Sequence, residues 1–351
     1  MIYVYIFLLM LLSWGLSFFT EHISKGMLRL IAFLMVVAMV VIAATKPDTS
    51  SDWDNYYLMF VGYDEPKYEL TTEPTYLWFS KMILQHGGSF RLIFWIYAFL
   101  SIPLKMFVCK KMTSYDVFFT GLPVYLAFFF TLHDCEQIRI SAALSFIVLG
   151  YWLRSEGWLW SCILLTLIAV SLHYSSAALI LPMLLTPRGH FGWTMQILLL
   201  SCAVFGIAIW ASGIDLIASI PIPALQAKLA LYELSTAKGD HPVQNAISPI
   251  VLIRISIFLY MLFFYETIRQ RFKIVNILLS CQAMAIFSWF AFRGMSVFAV
   301  RVSEMFEVFD FLLWGALPLT IRPVWVGRSI AFLVALMFLT LNIVYNQFRF
   351  L

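Results

Sequence analysis

The sequence has few charged residues, and this excludes an ordinary soluble protein. Lys, Arg, Asp and Glu together make up 12% of the 351 residues, whereas hydrophobic residues make up 62%. Soluble domains carry about twice that charged fraction. The mean hydropathy of +0.89 agrees with this composition. The chain is therefore predicted to lie in a membrane.

The sequence also lacks the motifs of common metal and cofactor sites. It contains no Gly-rich phosphate loop, no HExxH and no CxxC. The cysteines are odd in number and fall singly in or beside apolar runs, so they predict neither a metal site nor a disulfide framework. They are Cys109, Cys135, Cys162, Cys202 and Cys281. We expect no metal, no cofactor and no nucleic-acid partner.

Apolar runs of near membrane length recur along the whole chain. A helix needs about 20 residues to cross roughly 30 Å of hydrocarbon, and several runs reach that only with a flanking turn. The first run has no basic n-region and no small-residue cleavage site, which favours a retained helix over a signal peptide. The runs are Ile2–Phe19, Leu28–Ala44, Leu92–Val108, Val117–Leu132, Ile138–Leu153, Trp158–Leu185, Trp193–Ala211, Ile250–Phe264, Val275–Phe292, Phe309–Ile321 and Ile330–Tyr345. They predict an all-α, polytopic integral membrane protein with about 11–12 transmembrane helices, as one domain over residues 1–351.

The distribution of Lys and Arg predicts the orientation of the chain. These residues concentrate in cytoplasmic loops, and they fall on the short connections if the acidic loop Lys46–Phe90 is outside. The periplasmic loops are then about residues 46–90 and 212–248. Trp158–Leu185 is long for one span and polar at its middle. The basic loops before and after this region are both predicted to be cytoplasmic, so an even number of crossings must separate them. Two short crossings that meet at His173, or a re-entrant hairpin, give an even number and place His173 near the outer face.

Two ionisable residues in apolar surroundings are the strongest functional signals. An ionisable group in a membrane span costs several kcal/mol unless it has a partner or a wet cavity. Arg139 begins an apolar helix, where the helix dipole already favours a bound anion, so one interpretation is that Arg139 binds an anion. The alternative is that Arg139 forms a structural pair with Glu136 at i,i+3. His173 is either a functional base or a buried structural histidine that is hydrogen-bonded to Ser or Tyr.

Further polar residues fall on the same predicted outer side. Each has a structural alternative: Asp52 and Asp54 as solvated loop residues, Tyr56 as part of an interfacial aromatic belt, Arg293 as a snorkelling side chain, and Arg301 paired with Glu304 one helical turn away. Their functional alternative is contact with an anionic, sugar-bearing substrate. Asn55 belongs to the same group, because amides and aromatic rings suit sugar hydroxyls and sugar faces.

Four short motifs carry a resemblance to a known family. They are Asp52-x-x-Asn55-Tyr56, Gln137-Ile138-Arg139-x-x-x-Ala143, Leu172-His173-Tyr174-Ser175-Ser176-Ala177 and Arg301-Val302-Ser303-Glu304-Met305-Phe306. Their order and spacing, together with the pattern of spans, resemble the EpsG family, which includes Wzy-type O-antigen polymerases. The resemblance runs from about Asp52 to Pro318.

The resemblance implies a fold and a reaction. The fold would be similar to that of multi-spanning glycosyltransferases that use lipid-linked sugars. The enzyme would transfer a glycan from undecaprenyl diphosphate to a sugar hydroxyl of a second lipid-linked repeat unit, at the periplasmic face of the bacterial inner membrane. Donor, acceptor and lipid bilayer would be its partners, with a separate co-polymerase setting the chain length.

The residue chemistry suits a metal-independent glycosyltransferase. Arginine forks bind phosphate oxygens well, so Arg139 and Arg301, with Arg293 as a third, are predicted to hold the diphosphate. His173 is the predicted base or acceptor-orienting residue. The rival catalytic residues are Asp52, Asp54 and Glu304, and the predicted sugar contacts are Tyr56 and Asn55. A transporter or flippase of lipid-linked glycans is the alternative, and a membrane acyltransferase that uses His173 as base is a third reading.

Overall fold

The chain is helical throughout the part that the computed structural model describes, which is residues 2–50, 52–186, 192–216, 247–272 and 274–344. It is 82% helical, and no strand occurs in these ranges. Six helices are long and apolar enough to cross a membrane, and four further apolar helices are shorter. The predicted all-α, polytopic membrane fold is confirmed.

The described α-helices are numbered here in chain order. They are α1 (Ile2–Phe19), α2 (Lys25–Ala44), α3 (Trp53–Val61), α4 (Pro66–Thr71), α5 (Pro74–Gln85), α6 (Arg91–Met112), α7 (Tyr115–Val124), α8 (Ile138–Ser155), α9 (Leu159–Leu172), α10 (Ile180–Leu185), α11 (Trp193–Ser212), α12 (Pro249–Phe263), α13 (Tyr265–Arg269), α14 (Val275–Ala291), α15 (Ser296–Glu307), α16 (Phe311–Gly315) and α17 (Val324–Val344). A π-helix, Tyr125–Glu136, continues α7, and 3₁₀-helices cover Tyr174–Leu179 and Leu317–Leu319.

The contacts within the chain define two compact units. The first unit takes Met1–Ile180, Gln270–Ile274 and Phe311–Leu351, and the second takes Leu181–Arg269 and Val275–Asp310. The single transmembrane domain over residues 1–351 stays a prediction. Residues 217–246 of the predicted second periplasmic loop lie outside the described residues.

Close backbone contact between helices is a feature of the first unit. A Cβ atom on Gly121 in α7 would lie 2.0 Å from the carbonyl oxygen of Phe311 in α16. A Cβ atom on Gly315 would lie 2.1 Å from the carbonyl oxygen of Val117. Glycine at both positions lets the two helices approach more closely than any side chain would allow.

A buried polar network joins α6, the π-helix and α8. The ammonium of Lys105 donates to Tyr125 Oη at 2.7 Å, to Asp134 Oδ1 at 3.0 Å and to Ser141 Oγ at 2.9 Å. All four side chains are buried. A charge pair inside an apolar helix bundle can stay ionised when its polar atoms are hydrogen-bonded to neighbouring side chains. The network ties the end of the π-helix to the first turn of α8, which begins one residue before Arg139.

The long apolar run Trp158–Leu185 is broken at His173, as predicted. Helix α9 ends at Leu172, and His173 has an extended backbone with φ −159° and ψ 114°. The chain then continues as the 3₁₀-helix Tyr174–Leu179 and α10. The number of crossings and the orientation of the chain stay predictions.

In the second unit, α14 packs against α11, α12 and α15. A Cβ atom on Gly206 in α11 would lie 2.7 Å from the Cα atom of Phe287 in α14. The absence of a side chain at this position allows the two helices to touch. Helices α12 and α15, and the residues just after α14, carry the charged residues of this unit that are described below.

Candidate active site

The carboxylate of Glu73 connects the two residues that the sequence singled out. Glu73 occupies the N-cap position of α5, directly before Pro74, and is only 4% exposed. It accepts a hydrogen bond from Arg139 Nη1, and its Oε1 atom lies 2.8 Å from His173 Nδ1. The backbone N–H of Tyr174 also donates to Oε1, at 3.4 Å. Arg139 and His173 therefore meet at one carboxylate in the first unit.

The Glu73 contact fixes the orientation of the His173 ring. With Nδ1 against the carboxylate, Nε2 points away from it and lies 3.0 Å from Ser175 Oγ. A carboxylate on one ring nitrogen sets the tautomer, so that the other nitrogen can accept a proton. The hydroxyl of Thr75 donates to the carbonyl of Ser171 at 2.8 Å and so holds α5 against the end of α9. The arrangement is that of an oriented general base.

Aromatic side chains surround the Arg139 guanidinium. Its central carbon lies 5.5 Å from the ring centroid of Tyr56 and 5.7 Å from that of Tyr76. The Tyr76 hydroxyl donates to the Tyr56 carbonyl at 2.7 Å, which connects α5 to α3. The Arg139 side chain keeps 19% of its surface exposed. A partly exposed guanidinium against aromatic faces can still bind an anionic group of a ligand.

The electrostatics of the cluster keep Glu73 ionised. Burial alone raises the pKa of Glu73, but the hydrogen bond from His173 and the charge of Arg139 outweigh burial and lower that pKa to about 2. Hydrogen bonds to the charged form and nearby opposite charges have this effect. At neutral pH the cluster thus holds a carboxylate that stabilises positive charge on His173.

The other predicted residues of the first unit lie on the segment around α3. Asp52 is half-buried at the N-cap of α3, and its backbone N–H donates to Glu136 Oε2 at 3.2 Å. Tyr56 is buried and Asn55 is exposed. Glu136, the alternative partner of Arg139 that the sequence offered at i,i+3, contacts Asp52 instead, and Arg139 pairs with Glu73.

The second unit contains a charged cluster on α12 and α15. Arg254 Nη2 lies 2.7 Å from Glu307 Oε2, and both residues are buried. Burial raises the pKa of Glu304 to about 7; Arg254 and Arg301 oppose this rise, and the charge of Glu307 reinforces it. Arg301 itself is exposed. A carboxyl with a pKa near neutrality is suited to proton transfer, so Glu304 keeps its place as a rival catalytic residue.

Arg293 lies just after α14 and differs from the other arginines that the sequence singled out. Its guanidinium carbon lies 5.0 Å from the ring centroid of Trp289. Both terminal nitrogens of Arg293 are buried and have no hydrogen-bond partner among the described residues. Burial lowers the pKa of Arg293. A guanidinium whose buried terminal nitrogens lack a hydrogen-bond partner in the described part of the chain can bind an anion.

The sequence reasoning missed Glu73 and Arg254. Glu73 is one of several acidic residues between 46 and 90, and neither spacing nor motif distinguishes it from the others. Arg254 could have been found, because it stands inside the apolar run Ile250–Phe264 just as Arg139 stands beside another. The predicted site residues of the second unit are Arg293, Arg301 and Glu304; their convergence with Arg139 and His173 stays a prediction. In the described part of the chain, no three His, Cys, Asp or Glu residues are grouped so that they could hold a metal ion.

The comparison with protein families adds an independent finding. The model of the EpsG family matches residues 27–351. No curated protein and no solved structure matches the chain. Members of the EpsG family are Wzy-type polymerase-like glycosyltransferases, which indicates the same general role in polysaccharide synthesis. Since the match covers nearly all of the sequence, the chain belongs to the EpsG family.

Proposed function

We propose that this glycosyltransferase joins glycan repeat units that are carried on undecaprenyl diphosphate, and that its product is O-antigen polysaccharide. The reaction takes place at the periplasmic face of the bacterial inner membrane. The observation that carries the proposal is the Glu73–His173 pair beside Arg139, because it combines a base with an anion-binding group. The family assignment supports the same reaction class.

His173 acts as the general base in this proposal. As the acceptor oxygen bonds to the anomeric carbon of the donor, the acceptor O–H proton moves to His173 Nε2. Ser175 Oγ lies 3.0 Å from this nitrogen, so a sugar hydroxyl in the same place is within proton-transfer distance. Glu73 stabilises the imidazolium that forms. General-base catalysis of this kind contributes about 10²–10⁴-fold to the rate.

The leaving group requires positive charge. The bond between the anomeric carbon and the phosphate oxygen breaks, and its electron pair leaves with undecaprenyl diphosphate. Arg293 is the first candidate to hold this diphosphate, because its two terminal nitrogens have no hydrogen-bond partner among the described residues. Arg139, whose charge Glu73 partly compensates, and the exposed Arg301 are the further candidates for this role. Such groups supply the electrostatic stabilisation that developing charge needs.

The remaining assignments follow the chemistry of a sugar polymer. Asp52, Asn55 and Tyr56 contact the sugars in this proposal, with Asp52 and Glu304 as the rival bases. The lipid tails of donor and acceptor enter from the bilayer between helices. A separate co-polymerase sets the length of the product. One displacement at the anomeric carbon inverts its configuration.

The proposal is tested with purified protein in lipid nanodiscs. The substrate is the lipid-linked repeat unit extracted from a strain that lacks this gene. Mass spectrometry of the products is expected to show new glycosidic bonds with wild-type protein and a fall of about 10²–10⁴-fold in rate with His173→Ala. His86→Ala, at an exposed histidine of the same unit, is the matched control. Movement of lipid-linked glycan across a membrane without bond formation would favour the transporter alternative.

A further inference from the structure

The first unit contains two fully buried lysines with opposite surroundings. Lys105 and Lys46 both have 0% exposure. Lys105 donates to a tyrosine, an aspartate and a serine, as described above. The ammonium of Lys46 has no hydrogen-bond partner among the described residues. A buried ammonium without a hydrogen-bond partner is unfavourable for folding, whereas the ammonium of Lys105 is hydrogen-bonded to three side chains.

The surroundings of Lys46 are aromatic and acidic. Lys46 follows the C-cap of α2, and its ammonium lies 4.6 Å from the ring centroid of Phe94 and 5.8 Å from that of Tyr56. Burial lowers the pKa of Lys46, and the charges of Glu136 and Asp52 are close enough to oppose this change. Among the described residues, neither carboxylate accepts a hydrogen bond from the Lys46 ammonium. The ammonium thus has acids nearby but no direct bond to either.

Lys46 borders the candidate active site. Tyr56 is the connection, because its ring lies within 6 Å of both Lys46 and the guanidinium of Arg139. Asp52 is a second connection between Lys46 and Arg139. Its backbone N–H donates to Glu136, which directly precedes the start of α8, the helix that carries Arg139. A ligand that contacts Arg139 and Tyr56 is therefore a short distance from Lys46.

The chemistry around Lys46 selects a neutral polyhydroxyl ligand over a free anion. One ammonium, two carboxylates and two aromatic rings offer donors, acceptors and apolar faces. The guanidinium of Arg91, which donates to the Lys46 carbonyl at 2.9 Å, balances the second carboxylate. A sugar hydroxyl can accept from an ammonium and donate to a carboxylate at the same time. Sugar rings also present apolar faces to aromatic side chains. A phosphate would gain from Lys46 but would be repelled by Asp52 and Glu136.

We infer that Lys46 is a glycan-binding residue whose ammonium donates to a hydroxyl of the bound repeat unit, and this inference rests on the proposed function. Lys46 is covered in this structure, so its flexible side chain must swing toward the half-buried Asp52 to reach the ligand. The incomplete hydrogen bonding of Lys46 in the free protein is then explained by its use in the complex.

The test compares two methionine variants that remove a buried ammonium with little change in shape. Lys46→Met should leave the melting temperature of the purified protein unchanged or raise it, because an unsatisfied charge is removed. Lys105→Met should lower it, because the buried carboxylate of Asp134 loses the ammonium that balances its charge and keeps only hydroxyl donors. In the nanodisc polymerisation assay, Lys46→Met should raise the KM for the extracted lipid-linked repeat unit by about tenfold or more, the worth of a hydrogen bond to a charged group. Its kcat should change much less.

Each outcome is decisive. A lowered melting temperature for Lys46→Met, like that of Lys105→Met, assigns Lys46 to the fold and overturns the inference. If Lys46→Met has the same KM as the wild type, the inference about Lys46 is overturned as well. The proposed function still stands in that case, provided that the wild-type protein forms glycosidic bonds. Wild-type protein that forms no glycosidic bonds contradicts the proposed function and, with it, the role of Lys46. If inorganic pyrophosphate inhibits the wild type and Lys105→Met but not Lys46→Met, Lys46 binds an anion, and the inference of a glycan contact is overturned.

Discussion

Replacing Glu73 with glutamine should weaken both the stability and the chemistry of the first unit. The lowering of the Glu73 pKa from 4.5 to about 2 measures how strongly the fold favours the charged carboxylate. This difference corresponds to about 3 kcal/mol. Glutamine keeps the shape and can still accept from His173, but it offers no charge to Arg139 or to a protonated imidazole. We expect a loss of about 3 kcal/mol in unfolding free energy at pH 7.

The pH dependence gives this prediction a distinctive sign. A carboxyl whose pKa is depressed by folding stabilises the protein above its unfolded pKa, and this contribution is lost as pH falls from about 4.5 toward 2. The stability difference between wild type and Glu73→Gln should therefore be full at pH 7 and shrink below about pH 4.5. Denaturant unfolding of the purified protein at several pH values measures it.

The same variant should also slow the reaction. Without the carboxylate, the imidazolium that forms on His173 is not stabilised, and the rate should fall by about 10²-fold or more at pH 7. Glu69→Gln, at an exposed residue of α4, is the matched control and should change neither stability nor rate. If Glu73→Gln unfolds and reacts like Glu69→Gln, the assignment of Glu73 is refuted.

Three further changes test other parts of the account. Arg293→Ala should lower kcat/KM by about 10²-fold with little loss of stability, because the terminal nitrogens of Arg293 hold no described hydrogen-bond partner. A wild-type rate would remove Arg293 from the diphosphate site. Arg269→Ala, at a half-exposed arginine that pairs with Glu266, is the control. Burial raises the pKa of Glu304 to about 7, so the unfolding free energy of the wild type should decline as pH rises from about 4.5 to 7. Glu304→Gln should reduce that decline. The same dependence of unfolding free energy on pH in both proteins would contradict the prediction. Gly121→Ala should destabilise by about 1–3 kcal/mol or more, since its Cβ would meet the Phe311 carbonyl, whereas Gly15→Ala, with open space around it, should not lower the melting temperature.

Several features of the fold followed from the sequence for physical reasons. Composition and apolar runs predict the all-α membrane fold, because only helices and closed barrels satisfy backbone groups in lipid. The break at His173 follows from a polar stretch and Pro182 within a run that is long for one crossing. Arg139 stood out because its charge is expensive beside an apolar helix.

Other features depend on contacts that no local pattern encodes. Glu73 reaches Arg139 across 66 positions and Tyr174 across 101, and it resembles any other acid of its loop. Lys46 likewise follows a helix end, where a lysine is unremarkable until its burial is known. Such pairings arise from tertiary packing, so sequence spacing identifies the costly residues but not their partners.

The most direct test of the central claim is a double-mutant cycle on Glu73 and His173 in the nanodisc assay. If the two residues act as one unit, Glu73→Gln combined with His173→Ala should be no slower than His173→Ala alone, because the carboxylate has no imidazolium left to stabilise. Rate losses that multiply, or a His173→Ala variant that forms glycosidic bonds at the wild-type rate, would contradict the account.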